Sequence, residues 1–255
     1  MSNDYIKEFW EEQGKKFGTS NEASWNDRFC IELEIDTIGK YIGKEKKVLD
    51  VGCANGFSTI KQSRRNRTCK FIGIDYAVSL IEAANKAKKD ADSVDFQIGD
   101  ARELSFKDNT FDVVYTTRVL INLPTWSEQT QAINECIRVC KPGGTIVFSE
   151  AFWEPMELLN AMRMLRGLEA ITMHDFNRYL RMSALKKLLI SKNLTFHVDD
   201  FSSIYYLGTR FLKQLIAGPD SYLNYMDEIN EAFYELENKF SGGGVGIQQA
   251  VIVLK

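Results

Sequence analysis

Val48-Leu49-Asp50-Val51-Gly52-Cys53-Ala54-Asn55-Gly56-Phe57 is the stretch on which the fold turns. Apolar strand formers around one acid run into a short glycine-bearing turn, and residues 58–65 then read as a helix. This is the pattern of the first β-turn-α of an α/β sheet, where small residues let backbone approach a ligand closely. The G-x-G-x-x-G spacing of dinucleotide folds is not kept: Ala54 stands at the second glycine and Phe57 at the third.

Strands and helices alternate outward from that turn. Residues 69–75 read as a second strand, 77–89 as a helix, 94–98 as a third strand and 111–116 as a fourth. An amphipathic helix over 127–140 ends at the turn Lys141-Pro142-Gly143-Gly144, and 145–149 read as a fifth strand. Alternation at this spacing predicts an α/β fold, a doubly wound, Rossmann-like parallel sheet with helices on both faces. Its ligand sits outside the carboxyl ends of the strands, where strand order reverses beside the first.

Upstream, residues 1–45 read as a helical cap segment, with the stripe Tyr5, Ile6, Phe9 and Trp10 and a second apolar helix from Asp27 to near Gly43. It can pack on the sheet or lie over the ligand mouth. After Glu150 the alternation breaks: 151–181 and 204–240 read as helical, 183–191 as a short helix, 194–201 and 247–254 as strands. The expected organisation is a cap over 1–45, a ligand-binding core over 46–150, and lid insertions plus the last two strands over 151–255.

A net charge of −3 argues against a nucleic-acid partner, which needs a basic surface. Neither a basic-then-apolar leader nor an apolar run of roughly 20 residues is present, so a cytoplasmic protein with no membrane partner is expected, as monomer or homodimer. The five cysteines are scattered; Cys136 and Cys140 form neither a C-x-x-C pair nor half a zinc site, so reduced buried thiols and no metal are expected.

The strand ends carry the chemistry. The first delivers Gly52 to Gly56, the second Asp75, the third Asp100-Ala101 and the fourth Thr116-Thr117-Arg118. An acid after the second strand suits a ribose, accepting from both hydroxyls. An acid after the third can accept from an adenine amine, with Ala101 and Tyr76 flanking the base. A nicotinamide oxidoreductase would share the ribose acid but wants the third glycine under its pyrophosphate. A cationic, phosphate-free nucleoside is instead matched by Asp50, Asp75 and Asp100.

With these residues in view, the chain resembles the class I S-adenosylmethionine-dependent methyltransferases. The resemblance rests on Val48 to Gly56, Gly73-Ile74-Asp75, Gly99-Asp100-Ala101, Phe111-Asp112-Val113-Val114 and Lys141-Pro142-Gly143-Gly144, all within residues 46–150. It implies a seven-stranded sheet with an antiparallel last strand and S-adenosyl-L-methionine as cofactor. In that reading Asp50, Gly52, Cys53, Ala54, Asn55 and Gly56 hold the methionine moiety, Asp75 the ribose and Asp100 the adenine amine. Tyr76, Ala101, Thr117 and Trp25 complete the cofactor site. Asn122 stands where many relatives carry histidine. Around Arg118 to Leu123 and Phe201 to Tyr206 a shorter likeness runs to bacterial small-molecule methyltransferases, some associated with capsule polysaccharide biosynthesis.

Methyl transfer from a sulfonium is an in-line displacement in which alignment and water exclusion do much of the work. His174 is the base candidate in the expected lid, while His197 lies in an alternating strand and reads as structural. Arg118, with Arg163, Arg166, Arg178, Arg181 and Arg210, suits a carboxylate or phosphate on a small-molecule acceptor, and Tyr179 and Asn122 complete the catalytic set. O-methylation of a small polar or anionic acceptor is the leading expectation. N-methylation, a non-catalytic cofactor-binding role and a nicotinamide enzyme are the alternatives.

Overall fold

The strands β1 (Lys47–Val51), β2 (Lys70–Asp75), β3 (Val94–Ile98), β4 (Phe111–Thr117), β5 (Cys140–Ala151), β6 (Thr195–Asp199) and β7 (Gln248–Leu254) form one sheet in the order β3-β2-β1-β4-β5-β7-β6. β1 runs parallel to β2 and β4, while β7 is antiparallel to both β5 and β6. The computed structural model describes residues 3–90, 92–218, 221 and 224–255. Residues 1–2 of the expected cap, and 219–220 and 222–223 of the expected 204–240 helical run, lie outside the described residues.

Alternation along the strands sorts two buried layers. Val48 and Asp50 point to one face, and Leu49 and Val51 to the other. On the first face pack α2 (Arg28–Gly39), α3 (Phe57–Arg65), α4 (Val78–Ala87) and α6 (Trp153–Leu165), through Leu33, Ile60, Ala84 and Leu159. On the second pack α5 (Trp126–Val139) and α7 (Met182–Ser191), through Ile133, Cys136, Leu185 and Leu189. Asp27 caps α2 and Thr125 caps α5, each accepting from a backbone N–H of the first turn. All five cysteines are buried free thiols. Among the described residues, no helix is long and apolar enough to cross a membrane.

Three expectations need correction. The 151–181 stretch is helical only through Leu165. Gly167, at φ +73°, lets its own N–H reach Met164 O and the Leu168 N–H reach Arg163 O, both at 3.0 Å. That paired closure is a Schellman cap, which ends the helix. Residues 168–180 then follow an irregular path pinned to the sheet. The expected 141–144 turn is a looped-out irregularity within β5, whose pairing with β4 jumps from Phe111↔Cys140 to Val113↔Thr145. The 204–240 run is broken into α8 (Ser203–Leu207), a π-helical turn Gly208–Leu212, α9 (Lys213–Ala217) and α10 (Glu228–Lys239). The N-terminal segment does both things open to it: α1 (Asn3–Phe17) reaches the ligand mouth while α2 packs on the sheet.

Candidate active site

A cavity of about 710 Å³ opens at the carboxyl ends of β1 to β4. Val51 pairs with Ile74 on one side and Thr116 on the other, so Gly52, Asp75 and Thr117 emerge side by side. The N–H groups of Gly52 and Cys53 donate to Ile74 O at 2.7 and 2.8 Å, drawing the loop onto β2. Asp75 Oδ2 accepts from Ala54 N at 2.9 Å and Oδ1 from Ala77 N at 3.0 Å. Burial pushes the Asp75 carboxyl up to about 6 against these backbone donors. Each of its oxygens keeps a second lone pair for a ligand hydroxyl.

Gly52 and Gly56 both hold left-handed backbone, at φ +76° and +74°. A Cβ at Gly52 would sit 2.2 Å from Val119, and one at Gly56 2.5 Å from Phe96. Close packing of α3 on the sheet is thus achieved at Gly56, one residue before the missing third glycine.

Of the residues expected at the cofactor, Gly52, Ala54, Asp75, Tyr76, Asp100, Ala101, Thr117 and Trp25 line the cavity. Asp50, Cys53, Asn55 and Gly56 lie behind its wall, and each has a physical reason. Asp50 points to the α3 face, where it accepts from Thr59 Oγ1 at 2.6 Å and Tyr115 OH at 2.8 Å, and burial raises it to about 7. Cys53 is buried beside Gly73. The Asn55 amide donates to Gly18 O and Ser20 O at 2.8 and 2.6 Å, tying the N-terminal segment to the loop. Gly56 is the first cap of α3. Asp100 reaches the cavity already gripped by Arg102, whose backbone N–H and guanidinium donate at 2.8 and 2.6 Å. Burial works to raise Asp100, but the Arg102 contacts outweigh it and hold the carboxyl below its ordinary range.

The other half of the cavity is organised by Arg118, a non-glycine residue at φ +55°. Strained backbone of this kind costs on the order of 1–3 kcal/mol and persists only where the surroundings enforce it. Here Glu150, at the end of β5, enforces it. Its carboxylate accepts from Thr116 Oγ1 at 2.7 Å and from the N–H groups of Val119, Leu120 and Ile121 at 3.1, 3.2 and 3.4 Å. The Arg118 guanidinium lies over Trp25, 4.8 Å from the ring centroid, and its Nε is 3.0 Å from Glu34 Oε1. Glu34, on α2, is 1% exposed, and burial pushes it up to about 7 in spite of Arg118. Neither Glu34 nor Glu150 was singled out by sequence. A charge amid the apolar positions of α2 was the signal for the first, and a strand-end acid like Asp75 for the second.

Asn122, Tyr179 and His174 share this half. Asn122 Nδ2 donates to Arg118 O at 2.8 Å, which turns Oδ1 the other way. Burial raises the Tyr179 hydroxyl, so it stays a donor at neutral pH. His174 sits exposed at the rim, with its ring centroid 4.2 Å from that of Phe176 and 5.4 Å from that of Phe9. Thr117 Oγ1, Asn122 Oδ1, Asn177 Oδ1 and Gln248 Oε1 are buried without a hydrogen-bond partner among the described residues, and all four residues line the cavity. Of the six arginines considered from sequence, only Arg118 lines it. Arg163 is buried and donates to Glu169 O and Gln214 Oε1. Arg210 pairs with Asp27 beneath Tyr205, Tyr206 and Tyr225.

Comparison with known proteins matches this architecture. Residues 49–148 fit the model of a methyltransferase domain. The matched domain, the sheet order and the strand-end site together support a class I S-adenosylmethionine-dependent methyltransferase. It is 30% identical over 176 residues to an uncharacterised methyltransferase of Schizosaccharomyces pombe, a match covering 61% of this chain and 60% of that protein. To a ubiquinone biosynthesis O-methyltransferase of Bartonella bacilliformis it is 26% identical over 197 residues, covering 73% and 77%. The crystal structure of the PH0226 protein from Pyrococcus horikoshii OT3 superposes with a TM-score of 0.58 at 25% identity, covering 74% of this chain and 92% of that one. S-adenosyl-L-methionine is the methyltransferase cofactor, and the cavity fits it: the buried Asp75 carboxylate, the Gly52 turn and an orphaned Thr117 hydroxyl meet at the strand ends.

Proposed function

We propose that the protein methylates a hydroxyl group of a small, polar acceptor that also carries an anionic group. The observation that carries this reading is the set of oxygens on Asn122, Asn177 and Gln248 without a partner among the described residues, gathered in the same cavity as the Arg118 guanidinium. A buried acceptor atom without a donor costs about 1–3 kcal/mol. A ligand rich in hydroxyl donors removes that cost, and a carboxylate or phosphate suits the guanidinium fork.

In this reading Asp75 binds the ribose, Tyr76 and Ala101 flank the base, and Gly52 and Ala54 meet the methionine end. The bound S-adenosylmethionine supplies an activated methyl group on sulfur whose leaving group is a neutral thioether. Arg118, held by Glu34 and Trp25, orients the anionic end of the acceptor. Asn122 and Asn177 accept from its hydroxyls, Tyr179 donates, and Phe9, Trp10 and Phe176 exclude water. His174, the one imidazole in the cavity wall, takes the hydroxyl proton at a ring nitrogen. All three expected segments, 1–45, 46–150 and 151–255, contribute to the acceptor half, through Phe9 and Trp10, Arg118 and Asn122, and Asn177 and Gln248.

Within this acceptor class, the short likeness to capsule-associated enzymes points to a sugar or phosphate-type substituent of a surface-polysaccharide precursor. The aromatic wall of Phe9, Phe176, Tyr179 and Tyr206 favours a second reading, a phenolic ring, in keeping with the similarity to a ubiquinone biosynthesis O-methyltransferase of Bartonella. A panel of sugar phosphates, hydroxy acids, catechols and amines, incubated with the cofactor and scored by mass gain of one methyl group, separates them. Transfer to hydroxyl-bearing anions is expected. Transfer confined to neutral catechols or to amines overturns the proposal, and cofactor binding without turnover on any metabolite extract revives the non-catalytic alternative. Unchanged kcat in His174→Ala removes the base assignment, where a loss of about 10²-fold is expected.

A further inference from the structure

A second cavity, of about 540 Å³, opens on the far side of the segment that walls the first. The two share Ile6, Phe176, Asn177 and Tyr179. Behind that common wall the lining changes character. The indoles of Trp126 and Trp153, at the first positions of α5 and α6, line it together with Arg178 and Arg181.

Both arginines stand on fastened backbone. The Arg178 N–H donates to Ile121 O at 2.6 Å, and its carbonyl accepts from the buried Gln129 side chain at 2.8 Å. Next to Arg181, Leu180 N–H donates to Ala151 O at 3.0 Å, and Trp153 N–H donates to Leu180 O at 2.8 Å. The Arg181 guanidinium then lies over the Trp153 ring, 5.1 Å from its centroid. This chain has 35 acids to 32 lysines and arginines, yet neither guanidinium has a carboxylate within ion-pair reach among the described residues. Asp175 is the one acid in the lining, against two arginines. Two guanidinium groups without a carboxylate partner, beside two indoles, match an anion with a flat body: the forks take oxygens in pairs, and an indole takes a planar heterocycle by stacking.

We propose that the second cavity binds the distal part of the acceptor, a further anionic group of the nucleoside diphosphate kind with a planar base, beyond the group held by Arg118, while the hydroxyl-bearing part bends over Phe176 and Tyr179 into the first cavity. The link to the acceptor rests on the function proposed above; the binding of the planar anion does not. The diphosphate oxygens accept from Arg178 and Arg181, the latter held over Trp153, and the base stacks against Trp126.

The test is calorimetry on the full chain saturated with S-adenosylhomocysteine, so that the nucleoside half of the first cavity is filled. Uridine diphosphate is titrated as the probe, with inorganic diphosphate as a second arm. The nucleotide should bind at least tenfold more tightly than inorganic diphosphate. Arg178→Gln and Arg181→Gln, both at exposed positions, should each weaken it about tenfold and leave S-adenosylhomocysteine affinity unchanged. Absence of binding, competition with S-adenosylhomocysteine, equal affinity for inorganic diphosphate, or indifference to both substitutions overturns the proposal. Nucleotide binding as described, beside a silent acceptor panel, sinks the proposed function alone. Transfer to hydroxyl-bearing anions without nucleotide binding sinks only the second-cavity assignment.

Discussion

In the half of the cavity under β1 and β2, Asp75 takes backbone donors on both oxygens and the glycine loop is bonded down to Ile74. In the half under α1 and the 168–180 segment, Asn122, Asn177 and Gln248 hold out oxygens that no donor among the described residues reaches. The first half is finished without its ligand; the second is completed by one. A preorganised site loses little entropy on binding and tolerates little change, whereas a site with orphaned acceptors selects its ligand by the penalty of leaving them unpaired.

The largest effect that sharpens this contrast should come from Asp75→Ala. Hydrogen bonds to a carboxylate are worth about 1.5–3 kcal/mol each, so losing both ribose contacts should cost about 3 kcal/mol or more, roughly 10²-fold in S-adenosylhomocysteine affinity. Calorimetry reads it directly. Unchanged affinity would remove Asp75 from the cofactor site and, with it, the division of the cavity into two halves.

The same contrast governs how much was legible in the sequence. Asp75, Asp100 and Gly52 could be placed because strand ends in a parallel sheet converge whatever the details of packing. Asp50 lies behind the cavity wall, which strand ends without strand faces do not reveal: it shares the Val48 face, which turns it toward Thr59. The 168–180 wall escaped because its shape is set by bonds such as Arg178 N–H to Ile121 O, between residues far apart in the chain, which leave no local pattern. Gly167 is different. It is a C-cap glycine in plain view, and the helix expected across it should have ended there.

Glu34→Gln is the second way to break the comparison, because Glu34 reaches only the acceptor half, through Arg118. The KM for an anionic acceptor should rise about tenfold, roughly 1.4 kcal/mol, with S-adenosylhomocysteine affinity unchanged. A pH signature accompanies it. Burial raises Glu34, Asp50 and Glu150 from ordinary carboxyl values to about 7 in the folded chain. Between the unfolded and folded values the folded state therefore holds the extra protons. These groups stabilise least at neutral pH and progressively more as pH falls from about 7 toward about 4.5, by up to about 1.4 kcal/mol per pH unit for each proton. Thermal unfolding across that window should show a higher Tm on the acid side, and Glu34→Gln should flatten the slope by its share. A slope that is flat in the wild type, or a cofactor affinity that falls with the acceptor's, would show that Glu34 does not act as assigned.

The smallest effect belongs to Ala54, which stands in the cofactor half at the second position of the glycine pattern. Ala54 holds φ +47° so that its N–H can reach Asp75 Oδ2 at 2.9 Å. Left-handed backbone costs an alanine roughly 1–2 kcal/mol, and glycine escapes that cost while losing about 0.4–1 kcal/mol more entropy on folding. Ala54→Gly should therefore stabilise the fold by about 0.5–1 kcal/mol, a rise of about 1–4 °C in Tm for a domain of this size. Cofactor affinity should hold, because the donor is the backbone and not the methyl group. A fall in Tm would mean that the rest of the loop, through Asn55 and its hold on Gly18 and Ser20, does not impose the left-handed turn. The cofactor half would then be less fully preorganised than its hydrogen bonds imply.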